Sequence, residues 1–281
     1  EELWRRVSGR HVFTHGEFAL LRTPRSVSTF SWGSQVIGMV LPLDQDLLLA
    51  PHERGLIGSV TAQGVNGNPV QARRVEVGEE PDTLTVCGIL DRAGGAVEQR
   101  FAFVALPDGR TVYADALRQT SPTQEIRVRS GTLHVLNDAD WPLHDGTRTL
   151  HWAGGSRVFG PESQNDEKGE VLPVRMASPW YNLDDRLGIV CLAAEGGQEY
   201  VPTRRPTRHR IEQPFYLNAP AEGVVPAETV AVFYPGLSRE ETEARAGRCR
   251  LEREGERRII VLEDGTRIHW DRDACRVALA R

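Results

Sequence analysis

An all-β fold, a large antiparallel β-sandwich with one short helix near 238–247, is predicted by three features of the sequence. Short runs rich in β-branched and aromatic residues recur along most of the chain. Turn signals built on Asn-Gly, Asp-Gly, Gly-Ser and Pro separate them. Convincing helix-start chemistry occurs in one segment only.

In chain order, the first predicted strand covers 11–21 and stops at Thr23-Pro24. Strands at 27–32 and 36–41 follow, separated by Gly33-Ser34 and closed by Pro42. The run 56–63 precedes Asn66-Gly67-Asn68-Pro69, where Asn-Gly supplies the positive φ of a tight hairpin. Runs 70–77, 83–90 and 97–106 continue the series, and 132–136 and 189–192 are also strand-like. Asp108-Gly109 precedes a run at 110–114, and Asp145-Gly146 precedes one at 147–152. Asp264-Gly265 separates 258–262 from 266–270, the spacing of a hairpin. The strings DGTRTLHW at 145–152 and DGTRIHW at 264–270 read as two similar hairpins. For the helix, Ser238 serves as N-cap, Glu241 completes a capping box before 242–246, and Gly247 ends the segment. The polar stretch 161–169 is the expected exposed loop, with a sub-domain joint at 161–173 inside a single 1–281 module.

Composition narrows the function classes. The chain has 281 residues, 40% hydrophobic and 26% charged, enough to bury its own core. No apolar run approaches the roughly 18 residues that span a bilayer, so a soluble module without a membrane partner is expected. Net charge is −5 and Lys168 is the only lysine, with arginines scattered, so no concentrated basic stripe awaits a nucleic acid. The segment 202–214 gathers Arg204, Arg205, Arg208, His209 and Arg210, which reads as a solvated loop or sheet edge, or as an anion-binding segment. Beginning at Glu1-Glu2-Leu3-Trp4, the chain has the look of a piece of a longer polypeptide.

Cys87, Cys191, Cys249 and Cys275 are widely spaced with no C-x-x-C pair, which removes zinc knuckles and thioredoxin-like sites. Plain thiols are expected. If a disulfide forms, Cys249 with Cys275 is the favoured pair, because both flank one hairpin-like segment.

The densest polar-aromatic cluster is Trp180, Tyr181, Asn182, Asp184, Asp185 and Arg186. Aromatic faces beside amides, carboxylates and a guanidinium suit a sugar surface, since C–H faces stack on rings while hydroxyls bond the polar groups. The same residues suit a core, with the rings packed between sheets and Asp185 pairing with Arg186 or capping a turn. A second cluster, Asp138, Asp140 and Trp141, offers carboxylates for glycoside hydrolysis or, equally, turn-forming side chains. The carboxylate spacing lacks a dedicated calcium-loop pattern, so no metal is expected. General bases are available only among His11, His15, His52, His134, His144, His151, His209 and His269. There is no P-loop, G-x-G-x-x-G, H-E-x-x-H or G-x-S-x-G, and no cofactor is expected.

FALLRTP at 18–24 leads into STFSW at 28–32; FAFVALPDG follows at 101–109 and WYNLDDRLG at 180–188. This order of pieces resembles the C-terminal β-sandwich, or supersandwich, of heparinase-II/III-like and related (α/α)-toroid polysaccharide lyases. The likeness covers most of the chain in strand order, and no catalytic motif of that family maps onto it residue by residue. It implies a carbohydrate-related domain that follows an N-terminal helical domain of the same polypeptide, with an oligo- or polysaccharide as partner. Three functional classes follow: an auxiliary glycan-associated domain, a glycan-cleaving module (lyase or glycoside hydrolase), and a purely structural sandwich.

Overall fold

The structure is a computed structural model that describes residues 8–32, 36–41, 46–49, 59–62, 65–66, 71–121, 126–136, 142–150, 174–194, 196–200, 205–206, 211–218 and 228–280. It is all-β and antiparallel, with four sheets of five, nine, seven and four strands and one α-helix among the described residues.

The nine-stranded sheet organises the rest. From one edge to the other it runs Thr149–Leu150, Leu143–His144, Trp180–Leu183, Leu187–Ala194, Glu228–Pro235, Thr111–Gln119, Val97–Ala105, Leu84–Arg92 and Gln71–Val77. Its central strands are buried at nearly every position, as expected when both faces of a sheet are covered. Along one strand the side chains alternate between layers. Phe101, Phe103 and Ala105 pack with Ala19, Leu21, Phe30 and Trp32 of the N-terminal five-stranded meander. Ala102, Val104 and Leu106 face the opposite way, against Ile260, Leu262, Ile268 and Trp270 of the C-terminal four-stranded meander. Each fully buried ring such as Phe103 contributes roughly 1.5–3 kcal/mol by leaving water. Leu217, from the seven-stranded sheet, joins the first of these two cores.

Most predicted strands form, with shifted ends. The run 11–21 is corrected: it is two strands, Gly9–Phe13 and Phe18–Arg22, because residues 14–17 make a turn in which the Gly16 N–H donates to the Phe13 carbonyl. The predicted Asp264-Gly265 hairpin is present, joining Arg257–Val261 to Arg267–Asp271. The helix α1, Arg239–Ala246, begins as read: the Glu241 N–H donates to Ser238, and the Glu241 carboxylate accepts the Ser238 N–H. Acidic Glu240 and Glu241 in the first turn and Arg245 in the last complement its dipole. Residues 161–173, with the expected loop and joint, lie outside the described residues.

The cysteines are plain thiols, as read, and the pair favoured in the event of a disulfide, Cys249 with Cys275, is not the one brought together. All four cysteines are free; Cys249 Sγ lies 3.1 Å from the Tyr234 hydroxyl, and Cys275 approaches Cys87 instead. The two sulfurs of the expected pair belong to opposite ends of the C-terminal meander, which chain proximity could not reveal.

Candidate functional site

The hairpin formed by Trp180–Leu183 and Leu187–Ala194 carries the first candidate cluster. Its turn needs positive φ at both central residues, and Asp184 (φ 45°) and Asp185 (φ 54°) adopt it, closed by the Arg186 N–H donating to the Leu183 carbonyl at 2.8 Å. Aspartates tolerate this conformation better than most side chains.

Of the two readings of this cluster, the packing bears out the core for Trp180 and Tyr181 and overturns the aromatic sugar platform, because strand alternation places the rings in both cores. Trp180 faces the C-terminal meander and packs on Gly146, while Tyr181 faces the other layer at 0% exposure. The Tyr181 hydroxyl accepts from the Ser178 N–H at 2.9 Å and donates to Gln198 at 2.9 Å. Burial is the largest influence on that hydroxyl and pushes its pKa up. Asn182 is buried too. Its amide nitrogen donates to the Leu237 carbonyl at 2.9 Å and to Thr242 Oγ1 at 2.8 Å, and its oxygen accepts the Asp185 N–H at 2.8 Å. Asp185 in turn accepts the N–H of Arg239, the first residue of α1, at 2.7 Å. The hairpin therefore braces the helix. Asp184, Asp185 and Arg186 are the members with solvent-facing side chains, Asp184 lying 3.8 Å from Arg186 Nε. Asp138, Asp140 and Trp141 lie outside the described residues.

A second arrangement was not anticipated. LPDGR at 106–110 and LEDGT at 262–266 fold into the same turn. In each, the leucine N–H donates to the carbonyl four residues on, the glycine N–H donates back to the leucine carbonyl, and the aspartate accepts the N–H two residues on. The two turns sit side by side, and Arg110 bridges them by donating to Asp108 at 2.7 Å and to Asp264 at 2.7 Å. Glu263 gathers Arg245 at 2.6 Å, Arg110 at 3.4 Å and the Tyr234 hydroxyl at 2.7 Å. Burial opposes the charge on Arg110, but its hydrogen bonds to Asp264 and Asp108 overcome this and raise its pKa; the bond from Arg110 holds Asp264 well below the usual carboxylate range. A groove of about 580 Å³ opens beside this network, with Leu106, Pro107 and Leu279 on its apolar side and Asp108, Arg110, Asp264 and Thr266 on its polar side. No histidine or tyrosine lines it among the described residues, and its one arginine is already paired with carboxylates. The recurring L-x-D-G string was the available sequence signal; it also occurs as LHDGT at 143–147, where Asp145 again accepts the N–H two residues on.

A third network is fully internal. Arg92 donates to Gln99 at 2.7 Å, and Gln99 and the Tyr113 hydroxyl both donate to Asp115, each at 2.8 Å. All four are buried on the face of the nine-stranded sheet that looks toward the N-terminal meander. Burial dominates both charges, lowering Arg92 to about 10 and raising Asp115. Such a cluster specifies strand register rather than reaching a substrate.

Among the described residues the histidines sit on separate elements. His11 lies on the edge strand Gly9–Phe13, His15 in the following turn, and His269 on Arg267–Asp271, while His144 Nδ1 is 2.8 Å from Thr149 Oγ1. His134 lies on Ile126–Leu136; His52, His151 and His209 fall outside the described residues. Among the described residues no three His, Cys, Asp or Glu side chains are grouped to hold a metal ion, and no helix is long and apolar enough to cross a membrane.

No protein-family model and no curated protein matches the chain. Solved structures do. A Paenibacillus xanthan lyase superposes with a TM-score of 0.59 at 8% identity, covering 94% of this chain and 29% of the lyase. The chondroitin AC lyase of Streptomyces coelicolor A3 gives 0.51 at 14% identity over 93% of this chain and 38% of that one, and a heparinase III gives 0.51 at 9% over 98% and 42%. The chain thus shares a fold with polysaccharide lyases and spans less than half the length of each.

Proposed function

We propose that this chain is a non-catalytic β-sandwich domain of a larger carbohydrate-active protein, corresponding to the C-terminal supersandwich of toroid-type polysaccharide lyases. One observation carries the reading. Trp180, Tyr181 and Asn182 of the 180–186 hairpin are consumed in bracing α1 and filling two cores, and the two carboxylates that do share the described groove, Asp108 and Asp264, are both held by Arg110. The partial coverage of the xanthan, chondroitin and heparin-type lyases supports it, since a chain matching 29–42% of such enzymes corresponds to a part of them. In this reading the chain is a single module that stabilises an adjoining helical domain of the same polypeptide. Its own glycan contacts are confined to solvent-facing groups such as Asp184 and Arg186, and it needs no cofactor or metal.

The test is turnover and binding measured together. The purified chain is mixed with xanthan, chondroitin and heparan sulfate oligosaccharides, the ultraviolet absorbance of unsaturated uronyl ends is followed, and the same mixtures are titrated by calorimetry. No product, with weak or absent heat, is expected. Product formation would overturn the proposal in favour of a glycan-cleaving module.

A further inference from the structure

Cys87 and Cys275 are 188 residues apart in sequence, and their sulfurs lie 3.8 Å from each other. Cys87 sits on Leu84–Arg92 of the nine-stranded sheet and points toward the C-terminal meander. Cys275 sits in the tight turn between Arg267–Asp271 and Arg276–Ala280, held at a left-handed φ of 52° while Asp271 accepts the Ala274 N–H at 2.9 Å. The Cys87 thiol also donates to the Cys275 carbonyl at 3.0 Å, so the turn is already docked on the strand. Both cysteines are buried at 3% exposure, and both line a cavity of about 260 Å³ with Arg74, Glu76 and Arg276 at its walls. Contact with Cys87 first, and the nearby positive charge of Arg74, favour the thiolate of Cys275. Cys191 and Cys249 have no such thiol neighbour; Cys249 faces Tyr234 and Glu263.

We propose that Cys87 and Cys275 form a redox-active thiol pair that a low-molecular-weight disulfide converts into an intramolecular disulfide, clamping the C-terminal meander onto the nine-stranded sheet. The Cys275 thiolate attacks one sulfur of the reagent, forming a mixed disulfide and expelling one thiolate. Cys87 then loses its proton to solvent and displaces the second thiolate. In sum, two protein thiols and one disulfide reagent give one protein disulfide and two small thiols, a two-electron exchange. Forming the bond brings the sulfurs from 3.8 Å to about 2.05 Å.

The experiment oxidises the folded chain with bis(hydroxyethyl) disulfide, then counts free thiols after denaturation and maps linked peptides by mass spectrometry. Of the four thiols, two are expected to remain, with one linked peptide pair joining Cys87 to Cys275. The oxidised form is expected to unfold at a midpoint higher by about 5 °C, reversed by reductant. Cys249→Ser leaves the link intact, and Cys87→Ala removes it. Four surviving thiols, a link through Cys191 or Cys249, or a reagent adduct on Cys275 that Cys87 never resolves would each overturn the proposal. The wild-type result stands even where a variant folds poorly.

Discussion

Asp185 Oδ1 accepts the backbone N–H of Arg239 at 2.7 Å, so a hairpin turn satisfies the first turn of a helix 54 residues further along the chain. The bond joins a turn that the aspartate's own backbone shapes to a helix that Ser238 already caps. Asp185→Ala removes the acceptor and is expected to cost about 1 kcal/mol, in the range of a lost helix cap. For a chain of this size that lowers the thermal midpoint by about 2–4 °C. Asp185→Asn keeps an acceptor and is expected to retain most of the stability; equal losses in both variants would count against the bond.

Asn182 is a stronger brace, because it is buried. Asn182→Leu strands the Leu237 carbonyl and the Asp185 N–H and removes the donor to Thr242 Oγ1, which keeps its bond to the Ser238 carbonyl, and is expected to cost about 1–3 kcal/mol in urea unfolding. Trp180→Ala, at a site 5% exposed, is expected to cost about 3–5 kcal/mol. A Trp180 variant is therefore a stability probe. Asp184→Ala and Arg186→Ala are the variants suited to glycan titration.

Gly188 lies under α1. A Cβ there would stand 2.5 Å from Thr242 Oγ1 and 3.1 Å from its Cγ2, so Gly188→Ala pushes the helix off the hairpin, at about 1–3 kcal/mol. Thr242→Ala removes both offending atoms. The double variant is expected to be less destabilised than the two single losses summed, and strict additivity in the double-mutant cycle would refute the contact.

Arg92→Met removes the donor to Gln99, which itself donates to Asp115, together with a buried positive charge that favours the Asp115 carboxylate, and is expected to cost about 1–3 kcal/mol near neutral pH. Burial already raises Asp115, so the folded state holds its proton more tightly than the unfolded chain does. The penalty should grow as pH rises above the ordinary carboxylate range and shrink below it. Unfolding curves of both proteins across that range would check the trend.

Asp145 behaves oppositely. Burial works against its charge, but the hydrogen bonds from Arg148 and from the Thr147 and Arg148 backbone outweigh this and lower its pKa. Its contribution is present above its unfolded pKa of about 3.9 and is lost as pH falls through the depressed folded value. Asp145→Asn is expected to flatten the acid side of the stability profile, measured as thermal midpoint against pH.

Local chemistry was legible in the sequence wherever the partners are close along the chain. The Ser238–Glu241 capping box spans three residues, and the Asp264-Gly265 turn needs only its own glycine and carboxylate. The turn at 14–17 escaped because Phe13 and Phe18, stacked across it at 4.5 Å, prolong the apolar pattern on both sides. The 180–186 cluster was ambiguous for a different reason: alternation says that Trp180 and Tyr181 point to opposite faces, but not that both faces are covered.

The sequence by itself determined the all-β class, the main hairpins and the helix start, because these rest on side-chain period and on hydrogen bonds a few residues long. Tertiary structure alone decided that the Trp180–Leu183 hairpin is an internal brace and that Arg110 joins two L-x-D-G turns. It also decided that Cys275 meets Cys87 rather than Cys249. Each of these depends on which sheets stack face to face, and that order is fixed by the cooperative burial of two cores rather than by any local signal.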